Sequence, residues 1–440
     1  MSTNIKILIL TLLVNIARAQ DFSPLVSIAW ENNHELKAKN FQLESATKSL
    51  LEAKAMYGPD VKFGIQYTLA AGGRSIAFPV GDLLNPVYST LNQLTLSNAF
   101  PQIENVNEQF LPNNFYDARF RVTQAIYYPD LAINKKLKME MLEQKNLEIK
   151  AFKRLVSKQT MQAYIQYVMS QNAIDIYMSA DTLLQEAKRS TQSMIRNGIA
   201  LPTAMSRLEN QSAELLSQKT EALGNQKNAA AFLRYILGID EASEIAKVDG
   251  IKDLPLVPIT GLNEREELMQ LKQAVKMQSL SIEREDNYYY PKIGAQLDAG
   301  SQDFDFGWQP YALFGINIDM NIYDNKKHNH RKQAAKADIM ATESIYNQVE
   351  NQIKLQQDVA FENFNTAIIQ AEVFQARIKA TQKIYNEVFV KYKEGSAGYI
   401  ELIDAQTQLT QIKLQHLLAK NNAWIKWSEY IYATAIFPIN

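Results

Sequence analysis

Cysteine is absent from the 440-residue chain. That excludes a disulfide framework, a thiolate metal site and a lipidated cysteine behind a leader. Glycine and proline are sparse, at 16 and 13 residues, so few positions interrupt a helix. Beyond the first residues no apolar run reaches the roughly 18 that a spanning helix needs. If the chain crosses a membrane, it crosses as strands. Neither sign of charge dominates, with 46 basic residues against 47 acidic ones, and no basic block offers a phosphate-binding surface, so nucleic acid is not an expected partner. No Ser-His-Asp arrangement, Walker loop or dinucleotide-binding glycine pattern occurs, and neither enzymatic activity nor a cofactor is expected. His328 and His330 have an H-x-H spacing in "KKHNHRK", but lysine and arginine flank them and no acidic ligand stands close in sequence. No metal site is expected there.

What is present begins with a leader. Lys6, the apolar run Ile7 to Ile16 and the small-x-small pattern of Ala17, Arg18 and Ala19 predict a signal peptide over 1–19, with the mature chain starting near Gln20. Gln, Asn, Ala, Lys and Glu then fill long stretches, a composition that favours long helices.

The mature chain states one pattern twice, as 20–250 and 251–440, with the Pro- and Gly-containing segment from Gly238 to Asn263 at the boundary. Helical text from Leu36 to Tyr57 meets "YGPDVKFGIQY", and helical text from Glu264 to Tyr288 meets "YYPKIGAQL". Pro59 and Pro291 each close a helix and open a strand. "FRVTQAIYYPD" and "GINIDMNIYDN" superpose at an offset of 196 residues. Long helices follow both and reach glycine turns, "RNGIALPT" at Gly198 and "KEGSAGYI" at Gly395. Each half reads helix, strand, strand, long helix, turn, helix. The strand-to-strand connection is 36 residues longer in the first half, counted from Pro59 to Ile126 against Pro291 to Ile322. The insert, about 75–114, is rich in Asn, Pro, Leu and Gln and reads as an external loop.

The strands of the second half lie within about 292–323. Ala312, Phe314, Ile316, Ile318, Met320 and Ile322 alternate with Tyr311, Gly315, Asn317, Asp319 and Asn321, which predicts a strand with one apolar side. Phe120, Val122 and Ile126 repeat this opposite Arg119, Arg121 and Thr123. A half-buried soluble sheet fits these strands alone; a membrane barrel fits them too. Four strands do not close around an aqueous channel, so a barrel would be shared between chains. Tyr127, Tyr128, Tyr323 and Trp308 suit the aromatic belts of such a barrel. From Lys326 to Lys393 nothing breaks the helix, and Phe364, Ala371, Ile378, Tyr385 and Tyr392 recur every seven residues beside Ile368, Gln375, Gln382 and Phe389. That is coiled-coil patterning, over roughly 100 Å at 1.5 Å per residue.

In the Tyr-x-Pro junctions, the twin strand-to-helix junctions and the paired tips "GIALPT" and "GSAGYIELIDAQ", the chain resembles the TolC-like outer-membrane efflux family over essentially its whole mature length. The resemblance implies a mixed α/β membrane protein. Long antiparallel coiled-coil hairpins would form a periplasmic α-barrel, and four strands per chain would contribute to a trimeric twelve-stranded transmembrane β-barrel, with an internal two-fold repeat. It implies a homotrimer in outer-membrane lipid, working as the exit duct of a tripartite efflux system with a periplasmic adaptor and an inner-membrane pump. An outer-membrane component of type I protein secretion has the same fold, and a poreless periplasmic coiled-coil scaffold is the alternative of another class.

By the same resemblance Tyr392 falls on the gate tyrosine, Glu401 and Asp404 on the two acids that constrict the entrance, and Thr203 on a hydroxyl of the gate's bonding network. Glu401 and Asp404 share one helical face by spacing alone, and rings of such acids favour cations. Ala397 stands where the family has a basic residue and Ala204 where it has an acid, so that latch is missing; Arg207 is expected to pair with Asp404 or Glu401 instead. Gly198, Ile199, Ala200, Gly395, Ser396 and Ala397 would form the adaptor-docking tips. Arg119, Arg121, Asn317, Asp319 and Asn321 would face the barrel lumen.

Overall fold

A computed structural model describes residues 22–245, 247–248, 251, 253–255 and 264–439. The expected leader lies outside the described residues, as does part of the boundary between the halves. The elements are α1 (Ser23–Asn32), α2 (His34–Ala55), β1 (Asp60–Thr68), β2 (Ser75–Phe78), α3 (Val80–Thr95), β3 (Val106–Gln109), β4 (Phe115–Tyr127), α4 (Pro129–Arg196), α5 (Pro202–Leu237), α6 (Glu266–Asp286), β5 (Lys292–Phe304), β6 (Pro310–Asp319), α7 (Lys327–Lys393) and α8 (Tyr399–Ala433). The order α2, β1, β4, α4, α5 recurs as α6, β5, β6, α7, α8. Among the described residues no helix is long and apolar enough to cross a membrane.

The chain forms two compact units. One holds the described residues within Met1–Thr47, Glu140–Met277 and Asp338–Asn440. Its helices bury two apolar clusters. In the first, Phe22 packs edge-on against Tyr164 and Trp424, with ring centroids 6.1 and 6.4 Å apart, among Leu25, Val26, Ala29, Ile165, Leu233, Phe364 and Ile431. Helix α1 supplies Leu25, Val26 and Ala29, with Phe22 at its N-cap, and had no counterpart in the sequence reading. Its ten residues follow the leader too closely to show a period. Beside the cluster Arg154 holds Glu266 through two bonds of 2.8 and 2.6 Å, both side chains only 6% exposed. Burial alone would raise the Glu266 carboxyl; the Arg154 guanidinium outweighs it and holds the group below the ordinary carboxylate value.

The second cluster joins Leu184, Ala187 and Met194 of α4, Leu208 and Leu215 of α5, Tyr385, Val388 and Tyr392 of α7, and Leu402, Ala405 and Leu409 of α8. The seven-residue row on α7 is the seam: Phe364, Ala371, Tyr385 and Tyr392 are buried and Ile378 half-buried, while Gln375 of the parallel row is exposed.

The other unit, Lys48–Met139 and Gln278–Ala337, contains an antiparallel four-stranded sheet of order β1-β4-β5-β6. Phe63 faces Phe120, Phe120 faces Ala299, and Ala299 faces Ala312 across the sheet. Strand β6 ends at Asp319, which is paired with Lys292 at the first position of β5. Pro291 precedes it, so Met320, Asn321 and Ile322, expected to continue the alternation, have no strand to meet and lie beyond the sheet. The Asn321 amide donates to the Tyr288 carbonyl instead, at 3.1 Å.

The insert expected as a loop carries its own structure, the ribbon β2–β3 and helix α3. Its asparagines account for that order. Asn85 exchanges two bonds of 2.9 Å with the backbone of Ile103, and Asn92 donates to Phe100 O at 2.7 Å while accepting from its N–H at 3.0 Å. Side-chain amides thus satisfy the backbone of an irregular segment, which composition alone reads as turn-forming.

Candidate gate, tips and channel-lining face

The turns α4–α5 and α7–α8 are built alike. Gly198 and Gly395 have φ of +73° and +74°, a conformation that favours glycine. The N–H of Ile199 reaches Met194 O at 2.8 Å and that of Gly198 reaches Ile195 O at 3.0 Å; Ser396 and Gly395 do the same with Lys391 O at 2.9 Å and Tyr392 O at 3.0 Å. Both are Schellman caps. The following helices start from extended residues, Leu201 (ψ 148°) and Gly398 (ψ 154°). The two tips lie side by side: Ile199, Ala200, Gly395, Ser396 and Ala397 line one shallow cavity together with Tyr392 and Tyr399. Gly198, Ile199, Gly395 and Ser396 are exposed, and Ala200 and Ala397 partly so.

Tyr392 is buried, and its hydroxyl lies 2.5 Å from Thr191 Oγ1. Thr191 gives its proton to Ala187 O at 2.8 Å, so Tyr392 is the donor between them. Thr191 was missed. It lies in the last two turns of α4, seven residues before the tip glycine, where sequence reads it as an ordinary helical residue. Thr203, expected in the gate's bonding network, is exposed at the start of α5. Two turns deeper, Tyr385 is buried with no bond to its hydroxyl, and burial pushes that phenol up to about 12.

Glu401 and Asp404 are both exposed on the first turns of α8, and Asp404 accepts from Gln408 at 2.9 Å. Within the chain the Arg207 guanidinium lies 5.9 Å from the centre of the Tyr399 ring.

In the other unit the sheet has two unlike faces. Val61, Phe63, Ile65, Val122, Phe120, Leu297, Ala299, Phe314, Ile316 and Ile318 share one of them, in register. This apolar face is bare: Phe63 is 57% exposed, Phe314 68% and Ile318 66%. The opposite face carries Arg119, Arg121, Asp298, Tyr311, Asn317 and Asp319. Arg121 holds Asp298 through two bonds of 2.8 Å, Arg119 holds Asp117 at 2.6 Å, and Tyr311 donates to Asp117 at 2.8 Å. Asn317 is exposed on β6, while Asn321 is off the strand. Strands β1 and β6 leave two open edges.

Aromatic side chains bracket the sheet. Trp308 is 76% exposed at the β5–β6 turn and Tyr323 78% at the other end. The proposed isolation of His328 from acids is corrected as well: Asp324 accepts from His328 N at 2.7 Å and meets its Nδ1 at 2.9 Å, capping α7 from four residues upstream. Tyr288 stacks on the imidazole at 4.8 Å. Among the described residues no cluster of three or more potential metal ligands occurs.

Residues 260–429 match the family model described as outer membrane efflux protein. No curated protein matches the chain by sequence. Several solved structures match its fold. VceC, an outer membrane protein of Vibrio cholerae, is 13% identical, with 95% of this chain and 97% of that one covered and a TM-score of 0.71. The MtrE outer membrane channel of Neisseria gonorrhoeae, in its open state, is 12% identical over 94% and 89%, with a TM-score of 0.72. The Campylobacter jejuni CmeC outer membrane channel is 13% identical over 93% and 84%, with a TM-score of 0.70. The chain therefore carries the sequence pattern of the outer membrane efflux proteins in its second half and shares the fold of outer-membrane channels over more than nine-tenths of its length.

Proposed function

We propose that the protein is a passive exit duct of the outer membrane, through which an efflux system discharges small molecules. One observation carries the reading: a sheet with a bare apolar face, a charged opposite face and two open edges. In water that face would drive aggregation. In lipid it is the correct outer surface, provided the edges are closed. Three copies, each pairing β6 with β1 of the next, close a twelve-stranded barrel whose charged face lines the lumen. A poreless coiled-coil scaffold has no use for such a sheet.

In this trimer the helical hairpins surround a periplasmic tunnel that narrows at the tips. Tyr392 holds the tip core together, and Glu401 and Asp404 from three chains surround the entrance, where they favour cations. Gly198, Ile199, Ala200, Gly395, Ser396 and Ala397 form the surface for a periplasmic adaptor that links the duct to an inner-membrane pump. Transport follows pore width and charge without bond chemistry. Planar-bilayer recording of the detergent-purified protein tests the reading: discrete, cation-preferring openings are expected, and a protein that is soluble without detergent and gives no openings refutes it.

A further inference from the structure

Helix α3 of the insert packs with its polar side inward. Asn85 and Asn92 hold the backbone of Ile103 and Phe100. The Asp82 N–H donates to Asn105 Oδ1 at 3.1 Å, the Asn105 amide donates back to the Asp82 carboxylate at 2.9 Å, and Ser89 accepts from Gln102 at 3.0 Å. Gly81 lets the same side come close, since a Cβ there would stand 2.5 Å from Ile103 O.

At about 3.6 residues per turn, Leu83, Leu84, Val87 and Leu94 fall on the opposite side of α3. All four are exposed, Leu83 to 69% and Leu94 to 77%. An amphipathic helix ordinarily turns its apolar stripe toward what it packs on; here the stripe faces away from segment 98–105, which holds the helix. Rolling it inward would break every bond of the polar side. Lipid is a poor cover for it, because helices that lie on bilayers carry lysine and arginine on their polar side and no basic residue occurs from 75 to 118.

A second copy of the chain is the better match. The insert leaves the sheet at Thr68, where β1 ends, and β6 enters the sheet at that same end, at Pro310. Strands β1 and β6 are the two open edges, and a shared barrel closes one against the other. The insert of one copy therefore rises beside the β5–β6 turn of the next. That turn is apolar and bare as well: Phe306 stacks on Tyr67 and Tyr116, with ring centroids 5.2 and 5.9 Å apart, yet it and Trp308 stay exposed, and no basic residue occurs from 293 to 325. We infer that the Leu83, Leu84, Val87 and Leu94 face of α3 docks on Phe306 and Trp308 of the next copy, three such contacts tying the mouth of the barrel. The inference rests on the shared-barrel reading.

The chain's lack of cysteine lets thiols be placed one at a time in the full-length, detergent-purified protein. V87C/W308C treated with a short bismaleimide should run as cross-linked dimers and trimers in denaturing gels, whereas Q93C/W308C, with its first thiol on an exposed flank of α3 outside the stripe, should stay monomeric there. L83S/V87S should lower the melting temperature of the trimer, and adding W308S should lower it no further, since both remove the same contact. Cross-linking of V87C alone overturns the contact, because α3 then meets α3. So does quenching of a bimane on V87C by brominated lipid in vesicles, because the stripe then lies on the bilayer. A trimer in native mass spectra without the V87C/W308C link between copies overturns it too. A protein that is monomeric in native mass spectra refutes the shared barrel itself, a separate failure.

Discussion

Tyr392 on α7 donates its hydroxyl proton to Thr191 on α4 at 2.5 Å, and both side chains are buried. The bond crosses the tip core just where the two hairpins turn. A buried hydroxyl pair of this kind contributes about 1 kcal/mol. Y392F and T191V are each expected to lower stability by that order and to raise the open probability in planar bilayers. The double variant should do no more than one single, since both remove the same bond. Unchanged gating in both singles would leave the pair a structural contact only.

Tyr385, seven residues earlier on the same seam, is buried without a partner for its hydroxyl. Removing that oxygen relieves a desolvated polar group, so Y385F should be neutral or stabilising by up to about 1 kcal/mol. Its phenol, pushed up to about 12, should be among the last tyrosines to ionise in a spectrophotometric titration. A clear drop in melting temperature for Y385F would show that the hydroxyl is bonded.

The Arg154–Glu266 pair is buried on both sides. E266Q leaves a buried guanidinium without its counter-charge and is expected to cost about 3–5 kcal/mol. The folded carboxyl titrates below its ordinary value. Its stabilisation is therefore present above the unfolded pKa of about 4.3 and is lost as pH falls through the folded one. Acid melting curves of wild type should steepen in that window, and those of E266Q should not.

Lys413 shows the opposite sign. It is half-buried on α8, and burial alone lowers its pKa. The folded state then binds its proton less tightly than the unfolded state, so stability rises with pH from the folded pKa up to about 10.4. K413M should raise the melting temperature at neutral pH and remove that rise. A destabilised K413M would mean that the amine has a partner in the assembled protein.

Glu401 and Asp404 should govern ion preference. E401Q/D404N keeps volume and helix start while removing charge, and reversal potentials across a salt gradient should shift away from cations. Openings with unchanged selectivity would place the constriction elsewhere.

Much of this molecule is local and therefore legible in one chain. Pro59 and Pro291 stop helices wherever they stand, the alternation around Phe314 and Ile316 has only one strand reading, and the glycines at 198 and 395 end helices by the same caps. The seven-residue row from Phe364 to Tyr392 already marked the buried seam of α7. Partnership across the fold is not local. Thr191 and Tyr392 lie 201 residues apart and meet only because α4 and α7 pack side by side, whereas Thr203, near the tip in sequence, points to solvent. Arg207 on α5 lies beside the Tyr399 ring of α8, a neighbour that its own segment does not announce. Strand β6 stops at Asp319 because β5 starts at Lys292, a limit set by a neighbour and absent from its own alternation. Order in the Asn-rich insert likewise depends on which backbone groups its amides reach. Periodicity and breakers, which act within a few residues, were determined by the sequence alone; hydrogen-bond partners and strand ends, which depend on what a distant segment presents, were decided by the tertiary structure.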